Sequence, residues 1–166
     1  GINWNLCPVV DINTNPENPV IGYRAFGNRP NLVIDKSLPL LKGLKDGGVL
    51  TCIKHFPGHG DTDVDSHLDL PVLLKDVQDL QGEELLPFRM AIEAGAPAVM
   101  TGHLSVPALD PSGLPASLSE RIVGMLREEM GFEGVVLTDA LNMQALKSID
   151  NRPAHINVKA LQAGND

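Results

Sequence analysis

The stretch GVLTCIKHFPGHGDTDVDSH, residues 48–67, joins a short apolar run directly to a long polar loop. The run GVLTCI is almost continuously hydrophobic, as strands buried on both faces of a parallel sheet are. The loop gathers histidines, aspartates and a lysine around one proline and two glycines, a composition that does not suit a core. A buried strand that ends in such a loop indicates an α/β fold with its functional site at the strand ends.

Three further apolar runs have the same character, and helical patterns separate them. The runs are residues 2–10, 97–103 and 134–139, and the helical patterns cover about 31–46, 79–95, 119–130 and 153–163. Ser119 is placed as the N-cap of the third helix. Pro39 is expected to kink or split the first helix, and Pro87 raises the same doubt for the second. Strands that alternate with helices predict βαβ units and a parallel sheet.

A polar group stands at the carboxyl end of every predicted strand. These groups are Asp11, Lys54 with His55, His103 and Asp139. A barrel gathers all its strand ends around one mouth, whereas a doubly wound open sheet uses one switch point and favours a glycine-rich turn after its first strand. The turn PVVDINTNPENP, residues 8–19, contains no glycine. The sequence therefore predicts part of a (β/α)8 barrel of the TIM type, and the open sheet is the weaker alternative.

The predicted four or five βα units are fewer than a whole barrel needs, since a typical one has ~250 residues. Residues 1–166 are therefore expected to be the middle βα units of one longer catalytic domain, with the first and last strands missing. The parent protein is expected to be monomeric. Its compartment stays open, with the cytoplasm as the default and an exported or lipid-anchored form as the alternative.

Composition excludes several classes of partner. The 166 residues are 43% apolar, which suits one globular unit, and the net charge of −8 with no run of Lys or Arg argues against nucleic acid as a partner. No apolar stretch approaches the ~20 residues that a membrane span needs. The two cysteines, Cys7 and Cys52, are expected to be buried free thiols.

The polar loop does not fit a metal site or a phosphate site. His55 and His59 have the spacing of a zinc-binding helix, but Pro57 between them forbids a regular helix. The loop aspartates mimic the start of a calcium loop, but Ser66 and Val72 stand where that motif requires Gly and Glu. The sequence GHGDT lacks the GK[ST] of a phosphate loop. No metal and no cofactor are predicted.

The same loop fits acid–base chemistry. One residue separates Asp65 from His67, so the carboxylate can bond one ring nitrogen, raise the pKa of the histidine and leave the other nitrogen for a substrate. Asp139 ends the run GVVLTD and would project into the same mouth, although it could instead cap the turn that follows. One carboxylate with one acid/base group is the minimum for retaining glycoside hydrolysis.

Four motifs together resemble glycoside hydrolase family 3, in its β-N-acetylglucosaminidase (β-N-acetylhexosaminidase) branch. They are NPVIGYRAFG at 18–27, KHFPGHGDTDVDSHLDLP at 54–71, VMTGH at 99–103 and GVVLTDALNM at 134–143. The resemblance covers essentially the whole chain and implies a (β/α)8-type barrel. It implies a retaining exo-acting enzyme that removes terminal N-acetylglucosamine from peptidoglycan-derived or related glycosides.

The resemblance also implies roles for individual residues. Asp139 matches the nucleophile, His67 the acid/base group and Asp65 its orienting partner. Arg24, Lys54 and His55 match residues that hold sugar hydroxyls, and His103 either joins them or is a core histidine with its hydrogen bonds satisfied. Asp11, His59 and Asp61 are expected to shape the loops.

Two other functions stay open. One is a β-glucosidase-like member of the family, which would take its acid from a later domain and lack the D-x-S-H pattern. The other is an inactive carbohydrate-binding fragment. Residues 1–166 alone are not expected to be active.

Overall fold

The computed structural model describes residues 1–62 and 69–166, so the predicted pair Asp65 and His67 lies outside the described residues. The strands are β1 Trp4–Asn5, β2 Leu50–Thr51, β3 Ile53–Phe56, β4 Ala98–Thr101 and β5 Val135–Thr138. The helices are α1 Pro30–Asp46, α2 Val77–Asp79, α3 Leu86–Glu93, α4 Glu120–Glu128, α5 Gln144–Lys147 and α6 Pro153–Gln162. Gly22–Arg24 and Ala116–Leu118 form 3₁₀ turns, and Leu80–Glu84 forms a π-helical turn.

All paired strands are parallel, and neighbours in space are neighbours in the chain. Strand β1 pairs with β2, and β3, β4 and β5 form a sheet in that order. A bridge between Val9 and Lys54 continues the contact of the first segment with the second. The predicted α/β fold with a parallel sheet is confirmed. The described strands do not close into a barrel.

The register of β3 against β4 contains one extra residue. Lys54 pairs with Met100 and Phe56 with Thr101, which leaves His55 without a strand partner. Bulges of this kind redirect side chains and are common beside functional sites. The backbone N–H of His55 instead donates to the carboxylate of Asp11.

The predicted helical patterns 31–46, 119–130 and 153–163 are found as α1, α4 and α6, whereas the short helix α5 was not predicted. Helix α1 is not split at Pro39. The predicted helix over 79–95 is not continuous, because the π-helical turn separates α2 from α3 and Pro87 lies in the first turn of α3, where its missing N–H costs no hydrogen bond. Ser119 caps α4 as predicted by accepting from the N–H of Ile122. In residues 1–62 and 69–166, no helix is both long enough and apolar enough to cross a bilayer.

The two faces of the β3–β5 sheet pack into apolar clusters of different size. Ile53, Val99 and Val136 belong to a large apolar cluster that also includes residues of α1, α3 and α4. On the alternate positions, Cys52 with Ala98 and Met100 forms only a small cluster. Both cysteines are free thiols, and Cys52 is buried as predicted, whereas Cys7 is only half-buried.

Gly60 is the position where the loop after β3 passes closest to the loop after β1. A Cβ atom there would lie 1.9 Å from the carbonyl oxygen of Ile12. This oxygen belongs to the backbone and cannot move away as a flexible side chain could. We expect Gly60→Ala in the complete encoded protein to lower the free energy of unfolding by about 1–3 kcal/mol, the cost of overpacking. Urea denaturation would measure it.

Gly124→Ala is the matched control for this substitution. A Cβ at Gly124 meets no atom within 4 Å, and the residue lies inside α4, so alanine should stabilise the protein by up to about 1 kcal/mol. Equal unfolding midpoints for the two variants would contradict the close approach at Gly60.

Candidate active site

Asp11 follows the first strand segment, and its fully buried carboxylate receives hydrogen bonds from two histidines. The backbone N–H of His55 donates to its two oxygens at 3.1 and 3.2 Å, and that of His59 donates to Oδ1 at 2.8 Å. His55 Nδ1 lies 2.7 Å from Oδ2, so it carries a proton and donates it in this contact. The expectation that Asp11 holds a neighbouring loop is confirmed.

The charge of Asp11 is stabilised by these contacts. Burial alone would raise its pKa, but the electrostatic attraction and hydrogen bonds of His55, with a contribution from His59, hold the pKa below its usual value. An ionised carboxylate is therefore kept beneath the strand ends.

The far ring nitrogen of His55 points to Arg24. Nη2 of Arg24 lies 3.4 Å from His55 Nε2, and since a guanidinium only donates, Nε2 acts as the acceptor in this contact. Arg24 ends the first 3₁₀ turn and is exposed, although Nη1 donates to the carbonyl of Val20 at 3.2 Å. Asp11, His55 and Arg24 thus form a chain from the core to the surface.

His59 is held by the turn that it begins. Its Nδ1 lies 2.7 Å from the hydroxyl of Thr62, which donates in turn to the carbonyl of His59 at 3.1 Å. The amide of Asn18 donates to the same carbonyl at 2.8 Å. Burial lowers the pKa of His59. The negative charges of Asp11 and Asp139 oppose this shift, and Asp11 has the larger effect. The loop after β3 is therefore fixed to the loop after β1, as expected for a shaping role of His59.

His103 and Asp139 follow the neighbouring strands β4 and β5. The backbone N–H of Asp139 donates to the carbonyl of Thr101 at 3.0 Å, and its half-buried carboxylate accepts from the N–H of Ala140 at 2.7 Å. His103 Nε2 lies 3.1 Å from the carbonyl of Ala140 and therefore donates, while Nδ1 lies 2.7 Å from the hydroxyl of Ser117.

Both ring nitrogens of His103 thus have protein partners. Burial lowers the pKa of His103, although the hydrogen bond to the Ala140 carbonyl and the charge of Asp139 act to raise it. The ring is therefore neutral at pH 7. This geometry favours the core-histidine alternative over a direct contact with sugar.

The structure brings several of the predicted site residues to one edge of the sheet. His55 and Lys54 lie on β3, with Lys54 half-buried, and Arg24 reaches His55 from its turn. The carboxylate of Asp139 acts electrostatically on both His59 and His103, which links the end of β5 to the ends of β3 and β4.

Within the described ranges, no three His, Cys, Asp or Glu side chains are grouped in a way that could hold a metal ion.

The whole chain, residues 1–166, matches the family model described as Glycosyl hydrolase family 3 N terminal domain. The chain belongs to glycosyl hydrolase family 3. It is 42% identical to Beta-hexosaminidase A of Pseudoalteromonas piscicida, over 100% of this chain and 30% of that protein. The family resemblance inferred from the sequence motifs is confirmed.

Solved structures of family 3 members have the same fold as this chain over the part that it covers. A glycoside hydrolase family 3 β-N-acetylglucosaminidase from Paenibacillus sp. superposes with a TM-score of 0.94 at 46% identity, over 99% of this chain and 31% of that one. NagZ from Neisseria gonorrhoeae, solved with N-trifluoroacetyl-D-glucosamine, gives 0.87 at 36% identity, over 100% and 46%. The chain spans less than half the length of each of these relatives.

Sequence reasoning missed Lys75 and Glu84 in this family 3 chain. Glu84 is fully buried against the loop after β3, and Lys75 binds it. Charged residues in a helical pattern are usually solvent-exposed, so no sequence signal marked Glu84. The π-helical turn that buries it was not predictable from the period of the pattern.

Proposed function

We propose that the complete protein is a retaining exo-β-N-acetylglucosaminidase that hydrolyses terminal N-acetylglucosamine from peptidoglycan-derived or related glycosides. The observation that carries this proposal is the chain Asp11–His55–Arg24, which lies at the same strand ends as the half-buried carboxylate of Asp139. Charged donors next to a carboxylate are suited to fixing sugar hydroxyls beside a nucleophile. Two relatives support N-acetylglucosamine as the sugar, since one is a β-N-acetylglucosaminidase and the other was solved with N-trifluoroacetyl-D-glucosamine.

The proposed mechanism assigns a role to each of six residues of the candidate site. Asp139 attacks the anomeric carbon and forms a glycosyl-aspartate, while His67 donates its proton to the leaving oxygen. His67 then takes a proton from the water that hydrolyses this intermediate, and Asp65 orients its ring. The roles of His67 and Asp65 rest on the motif alone, because both lie outside the described residues. Arg24, Lys54 and His55 would hold the hydroxyls of the sugar.

The fold proposed for the complete domain is a (β/α)8 barrel, of which this chain supplies the middle βα units. Strands that are adjacent in chain order, with no reversal, favour a barrel over a doubly wound sheet. The sheet face that carries Cys52 and Met100 suits a barrel interior. Trp4 and Leu50 are exposed on the β1–β2 pair, where further strands would cover them. Residues 1–166 alone would then be inactive.

The test compares two chromogenic substrates with the complete encoded protein. We expect the nitrophenyl β-N-acetylglucosaminide to be cleaved with a kcat/KM at least ~100-fold above that for the nitrophenyl β-glucoside, because polar pocket groups built for the acetamido group would be left unpaired by glucose. Proton NMR should detect the β anomer of the sugar first, since two displacements retain configuration.

Preferred cleavage of the glucoside would overturn the proposal in favour of a β-glucosidase-like enzyme. Binding of N-acetylglucosamine without turnover of either substrate would identify a carbohydrate-binding protein instead.

A further inference from the structure

Glu84 is a buried acid that the proposed reaction does not use. It ends the π-helical turn Leu80–Glu84, and its side chain is completely buried. π-Helical turns are rare and often occur at functional sites. The turn directs the carboxyl group at Gly58, where a Cβ atom would lie 2.8 Å from Oε2 and 3.1 Å from Cβ of Glu84. The acid therefore packs directly against the backbone between His55 and His59.

Lys75 connects Glu84 to the same loop from another side. Its ammonium lies 2.8 Å from Oε1 of Glu84, 2.9 Å from Oε2 of Glu83 and 3.5 Å from Oδ2 of Asp61. Asp61 in turn accepts a hydrogen bond from the hydroxyl of Thr14 at 2.7 Å. The contacts of Lys75 thus join the π-helical turn to both loops that carry the candidate site.

Protonation of Glu84 does not remove its hydrogen bond with Lys75. Burial raises the pKa of Glu84 to about 7, Lys75 opposes the rise, and the carboxylates of Asp11 and Asp61 add to it. Burial alone would lower the pKa of Lys75, but its bonds to Glu84 and Glu83 raise it, so the ammonium stays charged. Within the described part of the chain, Oε2 of Glu84 has no hydrogen-bond partner and can carry the proton while Oε1 still accepts from Lys75.

We propose that Glu84 is a positioning residue, which holds the loop of residues 57–62 against the strand ends through its contact with Gly58 and its hydrogen bond from Lys75. This loop is tied to His55, because the N–H of Gly58 donates to the carbonyl of His55 at 2.8 Å. A loop that shifts away would displace His55 and weaken sugar binding. The kinetic part of this inference rests on the proposed glycosidase function.

The test uses two substitutions of nearly equal volume in the complete encoded protein. Glu84→Gln keeps an acceptor for Lys75, and Glu84→Met removes it. Glu83→Met is the matched control, since Glu83 also bonds Lys75 but is exposed. Hydrogen–deuterium exchange of peptides covering 54–62 should rise about fivefold or more in Glu84→Met and stay within about twofold of wild type in the other two.

Steady-state kinetics supply the second readout. With the nitrophenyl β-N-acetylglucosaminide, kcat/KM of Glu84→Met should fall roughly 10- to 100-fold, mainly through a higher KM, because a displaced binding group costs about that much. Glu84→Gln should restore most of the loss. Unchanged exchange at 54–62 in Glu84→Met would overturn the inference, as would a uniform rise over the whole chain.

Two further outcomes are decisive. If Glu84→Met does not fold, Lys75→Met removes the donor of the same hydrogen bond, and normal exchange at 54–62 in that variant would also overturn the inference. If wild type has no glycosidase activity, the proposed function fails, while the exchange comparison still decides whether Glu84 positions the loop.

Discussion

Replacing Asp139 by Asn is expected to lower kcat/KM for the nitrophenyl β-N-acetylglucosaminide by on the order of 10⁴-fold, the scale seen when a central catalytic group is removed. In the proposed mechanism, the amide could not attack the anomeric carbon, so no glycosyl-enzyme would form. Folding should be unaffected, because the carboxylate is only half-buried and its hydrogen bond from the backbone N–H of Ala140 can also be accepted by an amide oxygen. Initial rates and the thermal midpoint measure both effects.

Asp35→Asn is the control for this substitution. It makes the same chemical change at an exposed position of α1, and its rate should equal that of wild type. An Asp139→Asn protein that keeps more than about a tenth of the wild-type rate would show that another group is the nucleophile, because loss of the nucleophile should remove nearly all turnover.

The sequence predicted the parallel α/β fold because buried strands have an unmistakable composition. The run GVLTCI contains β2 and the first residue of β3, which continues to Phe56 in the polar segment, and GVVLTD contains β5 with Asp139 directly after it. Helix α4 was equally predictable from Ser119, whose side chain caps it. These features depend on residues that are close in the chain.

What the sequence could not predict depends on contacts between distant segments. The extra residue at His55 exists because Asp11, 44 positions earlier, accepts its backbone N–H. The burial of Glu84 depends on the missing side chain of Gly58, in a different loop. No periodicity within either segment encodes such contacts.

Removing the carboxylate of Asp11 is expected to be the most destabilising change at the site. In Asp11→Ala the backbone N–H groups of His55 and His59 and the ring of His55 lose their acceptor together. Breaking one partner of a buried pair typically costs about 3–5 kcal/mol, so urea denaturation of the complete protein should report a loss of that size. Asp46→Ala is the control, since its exposed pair with Lys42 is worth at most about 0.5 kcal/mol.

The pH dependence of stability distinguishes the effect of the charge of Asp11 from the effect of its packing. Since the folded-state pKa of Asp11 lies below its unfolded value, its stabilisation is fully present above that unfolded value, ~3.9, and is lost as pH falls through the folded pKa. Asp11→Asn retains the shape but has no such titration. The stability gap between wild type and Asp11→Asn should therefore narrow as the pH falls below about 4. A gap that stays constant into the acid range would mean that Asp11 acts through packing rather than charge.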